Sequence, residues 1–233
     1  MRHTHRTPDR WLIVAAAPRE VEAVLDGLGC KDTGIPEPWG VVRIGDRFDV
    51  LRSGVGKSNA AGATARALDP CSHRGVFSVG IAGSLPGSGL GLCDAVVATR
   101  SIFADEGIGS NAGFISMSRA GFGAFPDGTM HADHDPDLFG EVCDRTGPIA
   151  TVSWCSGSDA CAEGVAERTG AICEAMEGAA VALAARRVDP GLKTAELRVI
   201  SNTTGDRDGQ RWALEDSLDR LRAVLGRIAQ SIG

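Results

Sequence analysis

Apolar residues recur along this chain in two rhythms. Trp11–Ala17, Val76–Ala82, Ala95–Thr99, Ile149–Cys155 and Ala195–Ser201 are near-continuous apolar runs of strand length. Such runs mark strands buried on both faces. Val41–Ile44 and Phe48–Leu51, separated by Gly45-Asp46-Arg47, read as a hairpin. Between the strands the period lengthens. Arg19–Leu28 carries Val21, Val24, Leu25 and Leu28 at helical spacing, with Pro18 at its start and Gly29 past its end. Ser58–Leu68, Asp159–Thr169 and a long amphipathic stretch from Gln210 to Ile232 read as further helices, with a short one at Asp137–Asp144. Residues 103–135, rich in Gly, Phe and Asp, predict long functional loops with one short strand at Phe114–Met117. Strand and helix alternate without repeats or a linker. That predicts one α/β domain over residues 11–233, with helices on both faces of a mixed sheet, after a loose polar tail at 1–10.

The stretch Ala171–Arg186 stands out. A short apolar strand end runs straight into a helix in which Ala179, Ala180, Val181, Ala182, Leu183, Ala184 and Ala185 leave almost no polar face. Glu177 sits at the junction. A carboxylate at the mouth of a buried helix is costly unless something polar meets it. Either the helix start itself satisfies it, through backbone N–H groups and the dipole, or it belongs to a site.

Composition narrows the choice. The net charge of −6 over 233 residues, with no basic run, argues against nucleic acid as a partner. The seven cysteines form no CxxC pair and the N-terminus shows no apolar leader, which points to a reduced, cytoplasmic setting. No apolar stretch reaches bilayer-spanning length, so no membrane partner is expected. Gly54-Val-Gly-Lys-Ser58 invites a phosphate-loop reading, but the pattern needs a glycine at the position of Leu51. It reads instead as a strand-to-helix turn. His131-Ala-Asp-His-Asp135 holds potential metal ligands, yet Asp135-Pro136-Asp137 reads better as a helix cap followed by proline, so no metal is assigned. The dispersed cysteines read as buried small apolar residues.

Three polar residues share one placement. Glu20 lies just past the first strand, Glu177 and Asn202 just past two later ones, at the carboxyl ends where open α/β sheets bind ligands. Polar groups converging on an apolar pocket are what a small-molecule site requires.

Four blocks, Ala16-Ala-Pro-Arg-Glu20, Gly80-Ile-Ala-Gly83 with Asp94-Ala-Val-Val, Met176-Glu-Gly-Ala179 and Ile200-Ser-Asn202, resemble the nucleoside phosphorylase/nucleosidase superfamily. Within it the chain looks most like the futalosine hydrolases, through Glu174-Ala-Met-Glu-Gly-Ala-Ala-Val-Ala182 and Ile200-Ser-Asn-Thr-Thr-Gly-Asp-Arg-Asp208 with Trp212 beyond. The resemblance implies a three-layer αβα sandwich around a central mixed sheet and an N-glycosidase acting on a purine nucleoside. It implies neither metal nor organic cofactor, and a homo-oligomer, dimer or larger. By matched position, Glu20 activates water, Glu177 takes the ribose hydroxyls, and Ala82, Gly83 and Met176 border ribose and base.

Two departures bear on the activity. Asn202 stands where methylthioadenosine/S-adenosylhomocysteine nucleosidases carry Asp. An amide cannot act as an acid, but its NH₂ suits the O6 and N7 acceptors of a 6-oxopurine such as the hypoxanthine of futalosine. Hexameric phosphorylases bind phosphate with an arginine after the first strand and another just before the Asp of the fifth; here the positions read Ala-Ala-Pro-Arg-Glu and Cys93. Hydrolysis of futalosine in menaquinone synthesis is therefore the implied reaction, with Gly205–Trp212 as a flap offering Arg207 and Trp212 to the aryl carboxylate. The rivals are a methylthioadenosine or aminodeoxyfutalosine nucleosidase, a phosphate-dependent phosphorylase and a non-catalytic nucleoside-binding protein.

Overall fold

The computed structural model describes residues 9–111 and 113–231. In chain order the elements are β1 (Arg10–Ala15), α1 (Pro18–Gly27), β2 (Val41–Ile44), β3 (Phe48–Arg52), α2 (Lys57–Ala67), β4 (His73–Ser84) and β5 (Ala95–Phe103). They continue with β6 (Gly107–Ser110), β7 (Gly113–Ser116), β8 (His131–Asp133), β9 (Arg145–Thr151), α3 (Asp159–Thr169), β10 (Cys173–Ala175), α4 (Gly178–Val188), β11 (Lys193–Thr203) and α5 (Leu214–Ser231). A nine-stranded mixed sheet runs β10-β9-β5-β11-β4-β1-β3-β2, with β8 beside β5. Because β10 also pairs antiparallel with β4, one end of the sheet rolls over and closes on itself. β6 and β7 form a separate ribbon.

β1 shows why the apolar runs are continuous. Trp11, Ile13 and Ala15 enter the core shared with α1 and α5, while Leu12 and Val14 enter the core shared with α2 and α4. A strand alternates its side chains, so burial on both sides leaves no polar position. The result is the three-layer αβα sandwich expected from the sequence. The small residues of α4 allow close approach to α2, where Ala60 and Ala63 share a core with Ala179 and Ala182.

The boundaries differ in instructive ways. β4 and β5 outrun their apolar stretches because ladder pairing continues beyond them, from Lys193↔Gly75 to Thr203↔Ser84 on β11 and to Phe103↔Thr151 on β9. The run at Ile149–Cys155 is in sheet only to Thr151, and the strand starts earlier, at Arg145. The C-terminal helix begins at Leu214 rather than near Gln210, because the residues before it fold back on β11. Thr203 N–H donates to the Arg211 carbonyl at 3.1 Å and Ala213 N–H to that of Ser201 at 2.8 Å. The strand expected at Phe114–Met117 is β7, but residues 103–135 also hold β6 and β8. Asp135 does cap a helical turn, accepting from Asp137 N–H at 3.0 Å, though the turn is a 3₁₀ run over Pro136–Val142. Arg10, assigned to the tail by the sequence, opens β1; the rest of that tail, apart from Asp9, lies outside the described residues, as does Ile232.

Candidate active site

β1, β4 and β11 run parallel as neighbours, so their carboxyl ends open onto one place. There a cavity of about 350 Å³ is walled by Ala82, Gly83, Met176, Glu177, Asn202 and Trp212, with Glu20 among its other lining residues. Seven of the eight residues singled out by sequence thus meet in one cavity. Arg207 is not in its wall; it occupies a 3₁₀ turn at Arg207–Gly209.

Glu20 is buried in the first turn of α1. Its Oε2 accepts from Ala17 N–H at 2.8 Å and its Oε1 from Ile81 N–H at 2.9 Å, so both oxygens are fixed by backbone. Burial, with the nearby Glu177 carboxylate adding to it, raises its pKa against the opposing pull of Arg198 and the two N–H donors. A carboxylate held in place with heightened proton affinity is suited to a general base.

Glu177 is not satisfied by its own helix. It occupies the N-cap of α4 with no capping hydrogen bond from its side chain. Its Oε1 instead accepts from Gly56 N–H at 3.1 Å, and its Oε2 lies 3.3 Å from Nη1 of Arg198. The glycine-rich turn before α2 therefore cradles a carboxylate of the protein, while Lys57 ion-pairs with Asp105 and Glu106.

Arg198 is 1% exposed and is the centre of the polar cluster. Its Nε donates to Glu196 at 2.8 Å and its Nη2 to Ser78 Oγ at 2.9 Å. Burial works against its charge, yet Glu196, Glu177 and Glu20 raise its pKa further still. Two glycines make room for this cluster. A Cβ on Gly80 would lie 2.3 Å from Glu20 Oε1 and 2.6 Å from Arg198 Nη1, and one on Gly178 only 1.9 Å from Glu196 Oε2.

Asn202 closes the opposite side. Its Oδ1 accepts from Ser201 Oγ at 2.9 Å and its Nδ2 donates to the Thr203 carbonyl at 2.9 Å, which leaves one amide hydrogen unused by these bonds. Its backbone bridges to Trp212, a residue 59% exposed that lines the cavity. Arg19 lines the same mouth, but its guanidinium is paired with Glu215 in the first turn of α5.

A family model for the phosphorylase superfamily matches residues 13–232. The futalosine hydrolase of Acidothermus cellulolyticus is 38% identical over 225 residues, covering 92% of this chain and 89% of that one. That of Streptomyces coelicolor is 33% identical over 233 residues, covering 94% of each. The chain belongs to the futalosine hydrolase family of the phosphorylase superfamily. Solved structures agree on the fold. A Helicobacter pylori methylthioadenosine nucleosidase mutant with 5′-methylthioadenosine in its active site matches at a TM-score of 0.74 and 20% identity, covering 96% of this chain and 97% of that one. A futalosine hydrolase mutant from the same organism matches at 0.73 and 20% identity, covering 96% and 98%.

Sequence reasoning missed Ser78, Glu196 and Arg198, and gave no role to Glu174 although that residue opens one of the family blocks. Glu196 and Arg198 lie in the run read as a near-continuous apolar strand, two residues apart and so on one face. Charges at that spacing inside a central strand were the available signal. Glu174 lines the cavity and is buried, accepting from Ser156 N–H and Ser156 Oγ, each at 2.7 Å. It pins the loop after β9 that brings Cys155 into the wall. Among the described residues no three His, Cys, Asp or Glu side chains form a metal-binding group.

Proposed function

We propose that the chain hydrolyses the N-glycosidic bond of futalosine, releasing hypoxanthine and dehypoxanthine futalosine, as a step of menaquinone synthesis. The observation that carries this reading is the desolvated, backbone-fixed Glu20 beside the Glu177–Arg198 pair in one cavity. Water enters between Glu20 and the sugar. Its oxygen bonds to the anomeric carbon, Glu20 takes its proton, and the electron pair of the breaking C–N bond moves into the purine, which takes up a proton from solvent as Glu20 returns its own to solvent. Glu177 accepts from the ribose hydroxyls and faces the developing positive charge with an anion. Asn202 offers its unused N–H to O6 or N7 of the departing base, while Ala82, Gly83 and Met176 border ribose and base. Arg207 and Trp212 belong to the segment that covers the substrate's 5′ end, with Arg207 reaching its aryl carboxylate.

Water rather than phosphate is the nucleophile, because Arg19, which lines the cavity, and Arg198, which stands behind its carboxylates, are already committed, Arg19 to Glu215 and Arg198 to Glu196 and Glu177. We further take residues 11–233 as one nucleosidase domain of a cytoplasmic homo-oligomer, a dimer or tetramer. The deciding assay is base release from futalosine, inosine and methylthioadenosine, without and with phosphate. Hypoxanthine release from futalosine, indifferent to phosphate, is the expected result. Adenine release from methylthioadenosine at a comparable rate would overturn the role of Asn202. Arg207→Ala should raise KM for futalosine more than for inosine; an equal rise would remove Arg207 from the site.

A further inference from the structure

The catalytic carboxylates are held by a polar chain that continues well away from the substrate. Arg198 is shared by Glu177 and Glu196, and Glu196 Oε2 is in turn hydrogen-bonded to Ser101 Oγ on β5. Ser101 Oγ then meets His134 Nε2 at 2.7 Å. The Nδ1 of His134 lies 3.2 Å from Thr194 Oγ1 and 3.0 Å from the Thr194 carbonyl. Ser101, Glu196 and Arg198 are all buried. None of the residues from Glu196 to His134 lines the catalytic cavity; His134 instead borders a separate cavity of about 240 Å³ with Asp133, Asp135, Arg186 and Lys193.

Hydrogen counting gives the chain a direction. A serine hydroxyl has one hydrogen and a carboxylate none, so an ionised Glu196 takes the hydrogen of Ser101, and His134 must then donate to Ser101 through Nε2. With the imidazole neutral, Nδ1 then accepts from Thr194 Oγ1 and gives no hydrogen to the Thr194 carbonyl, which only the protonated ring would satisfy. Burial, with Arg186 adding to it, lowers the His134 pKa to about 4 despite Thr194 and Asp133, so this neutral form holds at working pH. Glu196 thus receives a donor on each oxygen, from Ser101 and from Arg198, and lies against the first turn of α4 at Gly178.

A third buried carboxylate has no evident use for stability, since such clusters seldom outperform an apolar core. It does have an electrostatic use. Without it, the full guanidinium charge would act on Glu177 and Glu20, and a base beside an unshared cation is a weak one. We propose that Glu196, oriented by Ser101 and His134, is a positioning and tuning residue that draws part of the Arg198 charge away from Glu20 and so preserves the proton affinity of the general base. The proposal rests on the reading of Glu20 as that base.

The test is the pH profile of futalosine hydrolysis by the full chain carrying Glu196→Gln. Glutamine keeps the shape, accepts from Arg198 Nε and donates to Ser101, which can turn its hydrogen to His134. The acidic limb of kcat should move down by about one pH unit, with kcat at the plateau reduced and KM little changed. A folded variant whose acidic limb coincides with that of the wild type overturns the proposal. Ser101→Ala, which strips a donor from Glu196 and loosens the hold of that carboxylate on Arg198, should move the limb the same way by less. If Glu196→Gln does not fold, an unmoved limb in folded Ser101→Ala overturns the proposal instead. Full activity of Glu20→Gln would sink the general-base reading itself, an outcome distinct from a wild-type limb that fails to respond to Glu196.

Discussion

Replacing Arg198 by methionine isolates the electrostatic part of the cluster, because methionine retains much of the apolar stem and removes only the charged head. The guanidinium is fully enclosed and holds Glu196 at 2.8 Å, Ser78 at 2.9 Å and Glu177 at 3.3 Å. Breaking a buried ion pair by deleting one partner costs about 3–5 kcal/mol, because the remaining charges lose their counter-ion. For a domain of this size 1 kcal/mol corresponds to roughly 2–4 °C, so the melting temperature should fall by about 6–20 °C. The pH dependence provides a sharper check. Glu20, already raised by burial, loses the opposing pull of Arg198, so its folded pKa moves further above its unfolded one. Its contribution is fully present below the unfolded pKa and is lost as pH rises through the folded value. The deficit of Arg198→Met against wild type should therefore be small near about pH 5 and grow towards about pH 8. Urea unfolding followed by tryptophan fluorescence measures it at each pH. A deficit below about 1 kcal/mol, or one that is flat with pH, would refute the idea that Arg198 is the counter-charge for this cluster.

Two further outcomes are expected. Gly80→Ala forces a methyl group against Glu20 Oε1 and Arg198 Nη1, so circular dichroism should show a folded protein while kcat drops by about 100-fold, the scale that a 1 Å misplacement commands; near-wild-type kcat would mean that the geometry of Glu20 is not critical. Glu215→Gln frees Arg19 at the cavity mouth, and inorganic phosphate should then inhibit futalosine hydrolysis more strongly than it does in the wild type, as read from inhibition curves. Identical curves would show that the Arg19–Glu215 pair does not keep anions out.

How much of this could be read from the sequence follows from which constraints are local. β1 was legible because a strand sandwiched between two helix layers must be apolar at every position, and Glu20, Glu177 and Asn202 were legible because a polar residue just beyond such a strand interrupts a pattern. The family blocks then gave those residues roles. What escaped notice depends on contacts between distant segments. Residues 152–155 continue an apolar run yet leave the sheet, because Glu174 on β10 captures Ser156. The start of α5 is delayed because Arg211 and Ala213 pair with β11. Arg207 stays out of the wall where its turn is anchored by Asp206 and Asp159, each backbone N–H donating to the other's carboxylate, at 3.0 and 3.3 Å.

Glu196 and Arg198 are the instructive omission. Averaged over a window, their strand is apolar enough to read as core, and on one face it is core, with Ala195, Leu197 and Val199 packed among α1 and α5. The other face carries a charge pair with Ser78 from the adjoining strand, exposed to neither solvent nor an apolar layer. Hydrophobic burial alone would place valine or leucine at both positions, at no loss of stability. Charges kept in a sheet interior at such a cost report a constraint that packing does not impose, and the direction in which the cluster points identifies it. Glu177 and Glu20, the two groups that Arg198 serves besides Glu196, are two of the three carboxylates that line the cavity at the carboxyl ends of the strands, Glu174 being the third. A local rule violated in the middle of a central strand is thus itself a site signal, and two charged residues at i and i+2 within an otherwise apolar run are the form it takes in this chain.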